Sequence, residues 1–141
     1  MIDYLFAAPD LPTAQADAAL GAYWLPANPP FSPGAWRGDV VNAGLSVWND
    51  AQDATSTDPS SGATITIHSY LPGLWLSVSL SARNAALEAS PLLVLGADRD
   101  AAAAGAPQTT YIFAFGPGQS LARFAGMHVS PLDEGAKYSF A

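Results

Sequence analysis

Two histidines, His68 and His128, are the only imidazoles in the chain. Imidazole titrates near neutral pH, so a histidine is well suited to act as a general base or as a metal ligand. A metal site needs further ligands, and the carboxylates of this chain do not follow spacings such as H-E-x-x-H. We therefore expect two surface histidines and no metal site, and the general base of a small hydrolase remains the alternative.

Acidic side chains cluster in two places. At residues 98–100 (DRD), two aspartates flank an arginine after an apolar run, at a position where open sheets often bind ligands. Asp98 is also a good N-cap residue, and we expect it to begin a short helix instead. In the second cluster, Asp50, Asp53 and Asp58 lack the alternating oxygen ligands and final glutamate of a calcium loop. We expect a solvated loop there.

Other signatures of catalysis and of cofactor binding are missing from the sequence. The chain has no cysteine, which excludes disulfides and thiolate chemistry. It also lacks a G-x-S-x-G nucleophile elbow and a glycine-rich phosphate-binding motif. We therefore expect no enzyme and no cofactor, and a hydrolase only through an arrangement that one sequence does not reveal.

Charge is sparse and unevenly distributed along the chain. Only 12% of the residues are charged, the net charge is −7, and residues 1–70 hold seven acids against one base. Five scattered bases cannot form the basic patch that nucleic acid requires. No apolar run approaches the ~20 residues of a membrane helix, and the N-terminus lacks a basic signal-peptide region. We expect no nucleic-acid or membrane partner, and a place in the bacterial host cytoplasm or in a virion.

Four aromatic residues are the best candidates for contacts with another molecule: Tyr70, Trp75, Phe31 and Trp36. Residues 63–81 predict a hairpin that turns at Pro72 and Gly73, because apolar then meets apolar and polar meets polar along the register. In that hairpin Tyr70 and Trp75 pair on the polar face. Exposed aromatic rings of this kind contact proteins or stack on sugars, unless another segment covers the face.

Alternating and apolar segments predict an α+β fold. We expect strands at residues 2–7, 39–48, 92–95, 109–115, 127–130 and 138–140, and short helices at residues 13–24, 84–90, 98–105 and 118–124. The proline-rich residues 25–36 predict an ordered loop pinned by Phe31 and Trp36, and residues 49–62 an exposed polar loop. Together these segments predict a single compact domain, residues 1–141, with a mainly antiparallel or mixed sheet and two to four short helices.

Four segments carry a resemblance to known proteins: AYW (22–24), AWRGDVV (35–41), LPGLWLSVSL (71–80) and LLVLGADRDAAAAG (92–105). They resemble small uncharacterised accessory proteins encoded by phages and prophages of GC-rich Gram-negative bacteria. The resemblance implies a phage-encoded accessory protein. The resemblance and the low content of charged residues together lead us to expect a non-enzymatic accessory or structural protein. It would act through protein–protein contacts, either as a homo-oligomer or with another protein. The alternatives are a small ligand- or glycan-binding module and a small hydrolase.

Overall fold

The computed structural model describes residues 1–124 and 126–130. Eleven strands and four short α-helices in these residues form an α+β fold with antiparallel sheets, as the sequence predicts. The strands are β1 (Ile2–Ala8), β2 (Trp24–Leu25), β3 (Ala35–Trp36), β4 (Val40–Asn42), β5 (Ser46–Asn49), β6 (Ala54–Thr57), β7 (Thr64–Ile67), β8 (Leu74–Leu80), β9 (Leu93–Asp98), β10 (Ile112–Phe115) and β11 (Met127–Ser130). The helices are α1 (Leu11–Ala16), α2 (Ala85–Glu88), α3 (Arg99–Ala103) and α4 (Gln108–Tyr111), with 3-10 turns at Leu20–Tyr23, Asp50–Gln52 and Leu121–Phe124. None of the described helices is long and apolar enough to span a membrane.

A five-stranded sheet in the order β10-β9-β1-β8-β4 forms the centre of the molecule. Its middle strand, β1, is buried at six of its seven residues and pairs antiparallel with both β8 and β9. The first five residues of β9 are also buried, which confirms the predicted strand that is covered on both faces. The most apolar strands therefore lie innermost, where both faces of the sheet need apolar side chains.

Both faces of the central sheet are covered. Side chains of β1 and β8, such as Phe6 and Leu76, pack on one face against Ala14, Leu20 and Leu87 from the helical segments. On the other face, Leu5, Trp75 and Leu95 pack against residues of β5 and β11, namely Val47, Met127 and Val129. The β5–β11 pair is therefore a second layer over the sheet.

A long interrupted hairpin extends from this second layer. The Val47 carbonyl accepts a hydrogen bond from the Leu71 amide at 2.7 Å, and Trp48 forms a bridge with Tyr70. After the 3-10 turn Asp50–Gln52 the chain continues as β6, which pairs with β7. One edge of β5 therefore faces β11 and the other faces the segment that follows β7.

The predicted hairpin at residues 63–81 is wrong. β7 pairs with β6, whereas β8 pairs with β1 and β4. Trp75 lies opposite Ala7 of β1, so it does not pair with Tyr70. A half-buried hairpin would have covered only one face of β8, but β8 buries Trp75 on one face and Leu76 and Val78 on the other. Burial of both faces favours its central position.

Several other boundaries also differ from the predictions. The first helix begins at Leu11, because the Asp10 carboxylate accepts a hydrogen bond from the Thr13 amide at 2.9 Å, and it ends at Ala16. Residues 39–48 form two strands in different sheets. Residues 49–62 include β6 and are therefore not a simple loop, and β2 pairs with β3 across the proline-rich segment. The predicted strand at 138–140 lies outside the described residues.

Candidate functional site

Four aromatic side chains line the outward face of the second layer, and we call them the aromatic ladder: His128, Trp48, His68 and Tyr70. Trp48 lies directly opposite His128 in the β5–β11 pair. Side chains alternate along a strand, so the burial of Val47 and Val129 in the core directs Trp48 and His128 outward.

The rings of the ladder are stacked closely. The Trp48 ring lies 4.4 Å from His68 at 27° and 5.4 Å from His128 at 18°, measured between ring centroids. Tyr70 meets Trp48 nearly perpendicularly, at 5.8 Å and 82°. Because β11 and the bridge to Tyr70 lie on opposite edges of β5, we place the indole between the two imidazoles. Both faces of the indole are then covered.

Each histidine of the ladder is hydrogen-bonded to an aspartate. His68 Nδ1 lies 3.0 Å from Asp53 Oδ2, and His128 Nε2 lies 2.7 Å from Asp50 Oδ2. Extending the β6–β7 register by one pair places Asp53 opposite His68, which explains the first contact. The Asp53 side chain is 12% exposed, and its Oδ1 atom is buried with no hydrogen-bond partner among the described residues. The two carboxylates hold the orientation of the rings at both ends of the stack.

A carboxylate on Nδ1 is also the arrangement that orients a histidine as a general base. Within residues 1–124 and 126–130, no hydroxyl group is hydrogen-bonded to His68 or His128. In the same part of the chain, no three His, Asp or Glu side chains converge as metal ligands. The arrangement is suited to contact with another molecule through polar ring edges.

The β6–β7 pair projects beside the ladder, and we call it the ribbon. All eight residues of its two strands are exposed, including Ile65 at 50% and Ile67 at 52%. Ile65 lies opposite Ser56 and Ile67 opposite Ala54, so one face is apolar and the other carries threonines. Neither strand contains a charged residue.

The turn at the tip of the ribbon is held by an aspartate. The Asp58 carboxylate accepts hydrogen bonds from the Ser60 amide at 2.9 Å and from the Ser61 hydroxyl at 3.0 Å. These bonds lower the pKa of Asp58, and the bond from the Ser60 amide has the largest effect. An ionised Asp58 therefore fixes the local turn that joins the two strands.

The four aromatic residues predicted to make contacts have different environments. Tyr70 is 60% exposed within the ladder, and Phe31 is 85% exposed in the bend between β2 and β3. Trp36 is half-buried against Trp24, with ring centroids 5.1 Å apart. Trp75 is only 9% exposed, and its indole N–H donates to the Pro72 carbonyl at 3.2 Å. The expectation of an exposed Trp75 is wrong, because β8 lies inside the central sheet.

Trp75 nevertheless borders an open cleft of about 420 Å³ under the second layer. The cleft combines apolar side chains with three amides and one guanidinium. Its lining residues are Ala7, Asn49, Gln52, Leu71, Pro72, Trp75, Gln119, Arg123 and Met127. Arg123 Nη1 donates to the Gly118 carbonyl at 2.8 Å, so the cation is held at the rim.

The acidic residues at 98–100 have structural roles. Asp98 caps α3 by accepting hydrogen bonds from the amides of Asp100 and Ala101 at 3.0 and 3.1 Å, which confirms the predicted cap. The Arg99 guanidinium contacts both carboxylate oxygens of Asp3 at 2.8 and 2.7 Å. The Asp100 carboxylate binds the N-terminal amine at 2.6 Å. These contacts attach α3 to the start of β1.

Sequence reasoning missed Trp48, Asp50 and Asp53 as members of the site. Two threonine-rich triplets, TST and TIT, flank the turn sequence DPSSGA, and that pattern is typical of a hairpin with a longer loop. Pairing the triplets would have placed Asp53 opposite His68. No signal in the sequence indicates that β11 joins this hairpin through β5.

No protein-family model, curated protein or solved structure matches this chain. The geometry and charge of the ladder and the ribbon are therefore the observations from which a function can be inferred. Both features are exposed, and both lie on the same extension of the second layer.

Proposed function

We propose that the chain is a non-enzymatic, phage-type accessory or structural protein that acts through protein–protein contacts made by the ribbon and the ladder. The observation that carries this proposal is the ribbon. All eight residues of its two strands are exposed and uncharged, and they include Ile65 and Ile67 at about half exposure. A surface of this kind loses little hydration energy when another protein covers it. The phage-type part of the proposal rests on the sequence resemblance alone.

Within the described residues, the two strands of the ribbon carry none of the charged residues or prolines that commonly protect an exposed edge. Natural sheet edges are protected by lysines, prolines, bulges or covering segments, and β6 and β7 contain neither lysine nor proline. A two-stranded ribbon is only marginally stable by itself in water. A partner strand would supply backbone hydrogen bonds and cover Ile65 and Ile67, so contact with another protein would stabilise the ribbon.

The ladder favours a protein partner over a glycan. A sugar ring stacks on the face of an aromatic side chain, but the strand order places the Trp48 indole between two stacked imidazoles. The side chains of His68 and His128 are 32% and 44% exposed, so their polar edges face solvent. Together with Tyr70 they form a polar aromatic rim, which is common at protein interfaces.

The histidines act as positioning residues in this proposal. Each imidazole is stacked on Trp48 and tied to an aspartate, so the pairs order the rim. A hydrolase would instead use His68 as a base oriented by Asp53. Loss of a hydrolytic activity in the double variant His68→Ala, His128→Ala, with an unchanged circular dichroism spectrum, would favour the hydrolase.

Site-specific photo-crosslinking in the producing cell tests the proposal. A photoreactive phenylalanine analogue at position 65 should form a discrete adduct with one protein, identified by mass spectrometry. The matched control is the same analogue at Ala122, which is exposed but lies outside the ribbon. Equal labelling at both positions, or no adduct at position 65, would overturn the proposal.

The cleft beside Trp75 supports a second candidate, a small-ligand or glycan module. Amides and a guanidinium beside apolar side chains match the usual lining of a small-molecule site, and the volume of about 420 Å³ suits a ligand the size of a small sugar. Ligand-observed NMR with N-acetylglucosamine and glucuronate tests this candidate. Saturation transfer that disappears in the Gln52→Ala, Gln119→Ala variant would favour it, and no transfer to either sugar would exclude these ligands.

A further inference from the structure

We propose that the partner of the ribbon is a second copy of this chain, bound by antiparallel pairing of β7 with the β7 strand of the other copy. This inference rests on the proposed function, since it names the partner of the same surface. The resulting sheet would run without a break through two ribbons, related by a two-fold axis between the two β7 strands.

In the part of the chain that the structure describes, nothing pairs with the outer edge of β7. β6 occupies one edge of β7, and the bridge from Tyr70 to Trp48 lies on that same side. Within the described residues, no strand pairs with the opposite edge at residues 64–70. Every second residue of a strand directs its N–H and C=O groups to a given edge, so this edge presents unpaired backbone groups for strand addition.

The side-chain pattern selects one register for the pair. Antiparallel pairing about Thr66 places Ile65 of each copy opposite Ile67 of the other. Four isoleucines, two from each copy, then form one apolar cluster on the same face. A slip of two residues keeps only one isoleucine pair, and a slip of one residue places the isoleucines against threonines or His68. The favoured register therefore has Thr66 opposite its own counterpart.

Charge does not oppose a second copy at this edge. Two chains that each carry a net charge of −7 repel each other over most approaches. The strands of the ribbon carry no charge, so two copies meet there without placing like charges side by side. A strongly basic partner would gain little from an uncharged edge, whereas a second copy matches it in shape and in apolar pattern.

Cysteine cross-linking tests both the pairing and its register. The natural chain has no cysteine, so Thr66→Cys introduces a single thiol at the proposed two-fold axis. The matched control is Thr55→Cys, because Thr55 is exposed and lies directly opposite Thr66 on β6, away from the outer edge of β7. Under mild oxidation we expect a covalent dimer from Thr66→Cys and at most a trace from Thr55→Cys. Equal yields, or monomer from both variants, would overturn the pairing.

Sedimentation velocity provides an independent readout. The wild-type protein should sediment as a dimer at high concentration, and the Ile65→Lys, Ile67→Lys variant should remain a monomer with an unchanged circular dichroism spectrum. A wild-type monomer at all concentrations would overturn the self-association. If the photoreactive group at position 65 then captures a different protein, the proposed function stands and only the identity of the partner is wrong. If it captures nothing, both proposals fail.

Discussion

Replacement of Arg99 by methionine is expected to destabilise the fold, because it removes a cation that binds a buried carboxylate. Asp3 is 3% exposed and receives two hydrogen bonds from Arg99, at 2.8 and 2.7 Å, and one from the Ser79 hydroxyl. Removing one partner of a buried ion pair costs about 3–5 kcal/mol. The Arg99 side chain is 18% exposed, so water can partly replace it. We therefore expect a loss of about 3 kcal/mol, at the lower end of that range.

Urea unfolding followed by tryptophan fluorescence measures this loss. The comparison needs four proteins: wild type, Arg99→Met, Asp3→Asn and the double variant. The double variant should be more stable than Arg99→Met alone, because it also removes the buried charge of Asp3. Arg37→Met is the control for an exposed ion pair, since the Arg37 and Asp39 side chains are 54% and 40% exposed, and it should change stability much less.

Two results would contradict this reasoning. One is an Arg99→Met variant within about 1 kcal/mol of wild type, since an ordinary surface substitution has an effect of that size or smaller. The other is a double variant no more stable than Arg99→Met. Either result would mean that Arg99 does not compensate the charge of Asp3, and a ligand-binding role for residues 98–100 would then have to be considered again.

Three further predictions concern the central sheet. Trp75→Ala should lower the free energy of unfolding by about 3–5 kcal/mol, because it opens a cavity in the core; an unchanged urea midpoint would contradict the burial of Trp75. Gly116→Ala should lower the melting temperature strongly, because an added Cβ would lie 1.5 Å from the Leu93 carbonyl oxygen. The control Gly38→Ala should leave the melting temperature unchanged, because no atom lies within 4 Å of the added Cβ there. Burial raises the pKa of Tyr4 to about 12. The folded state therefore keeps a phenolic proton that the unfolded state loses above about pH 10. Because of this difference, the free energy of unfolding should fall between about pH 10 and about pH 12. Tyr4→Phe should have a shallower fall in urea midpoint over this range, and a fall equal to that of wild type would refute the assignment.

The elements defined by local pattern could be predicted from the sequence. The alternating start of the chain, the aliphatic run before Asp98 and the short apolar segment after Gly126 gave β1, β9 and β11. Asp98 was recognised as a cap because a carboxylate at that position accepts bonds from the first free amides of a helix. Each of these predictions depends on a few neighbouring residues.

The choice of strand partners could not be predicted in the same way. The segments that form β7 and β8 match each other as a hairpin, and local register alone favours that pairing. In the folded protein β8 pairs with β1 instead, because that position buries Trp75 on one face and Leu76 on the other. A single sequence shows the alternation in β8 but not the competition between possible neighbours.

The ladder was beyond local reasoning for a similar reason. It joins Trp48, His68 and His128, which come from three separate segments. The 3-10 turn Asp50–Gln52 inserts extra residues between β5 and β6, so a simple register from the ribbon does not place Trp48 beside Tyr70. Exposure of Tyr70 agrees with the predicted polar face, although its strand neighbour is Trp48 rather than Trp75.

Amide hydrogen exchange of β7 at increasing protein concentration tests the contact role of the ribbon most directly. In a dilute sample, the amides of Thr64–Ile67 that face the free edge should exchange rapidly, because no backbone acceptor covers them. At high concentration these amides should become protected, while those that bond to β6 change little. Rapid exchange of the outer amides at every concentration, in a sample without a second protein, would contradict pairing between copies.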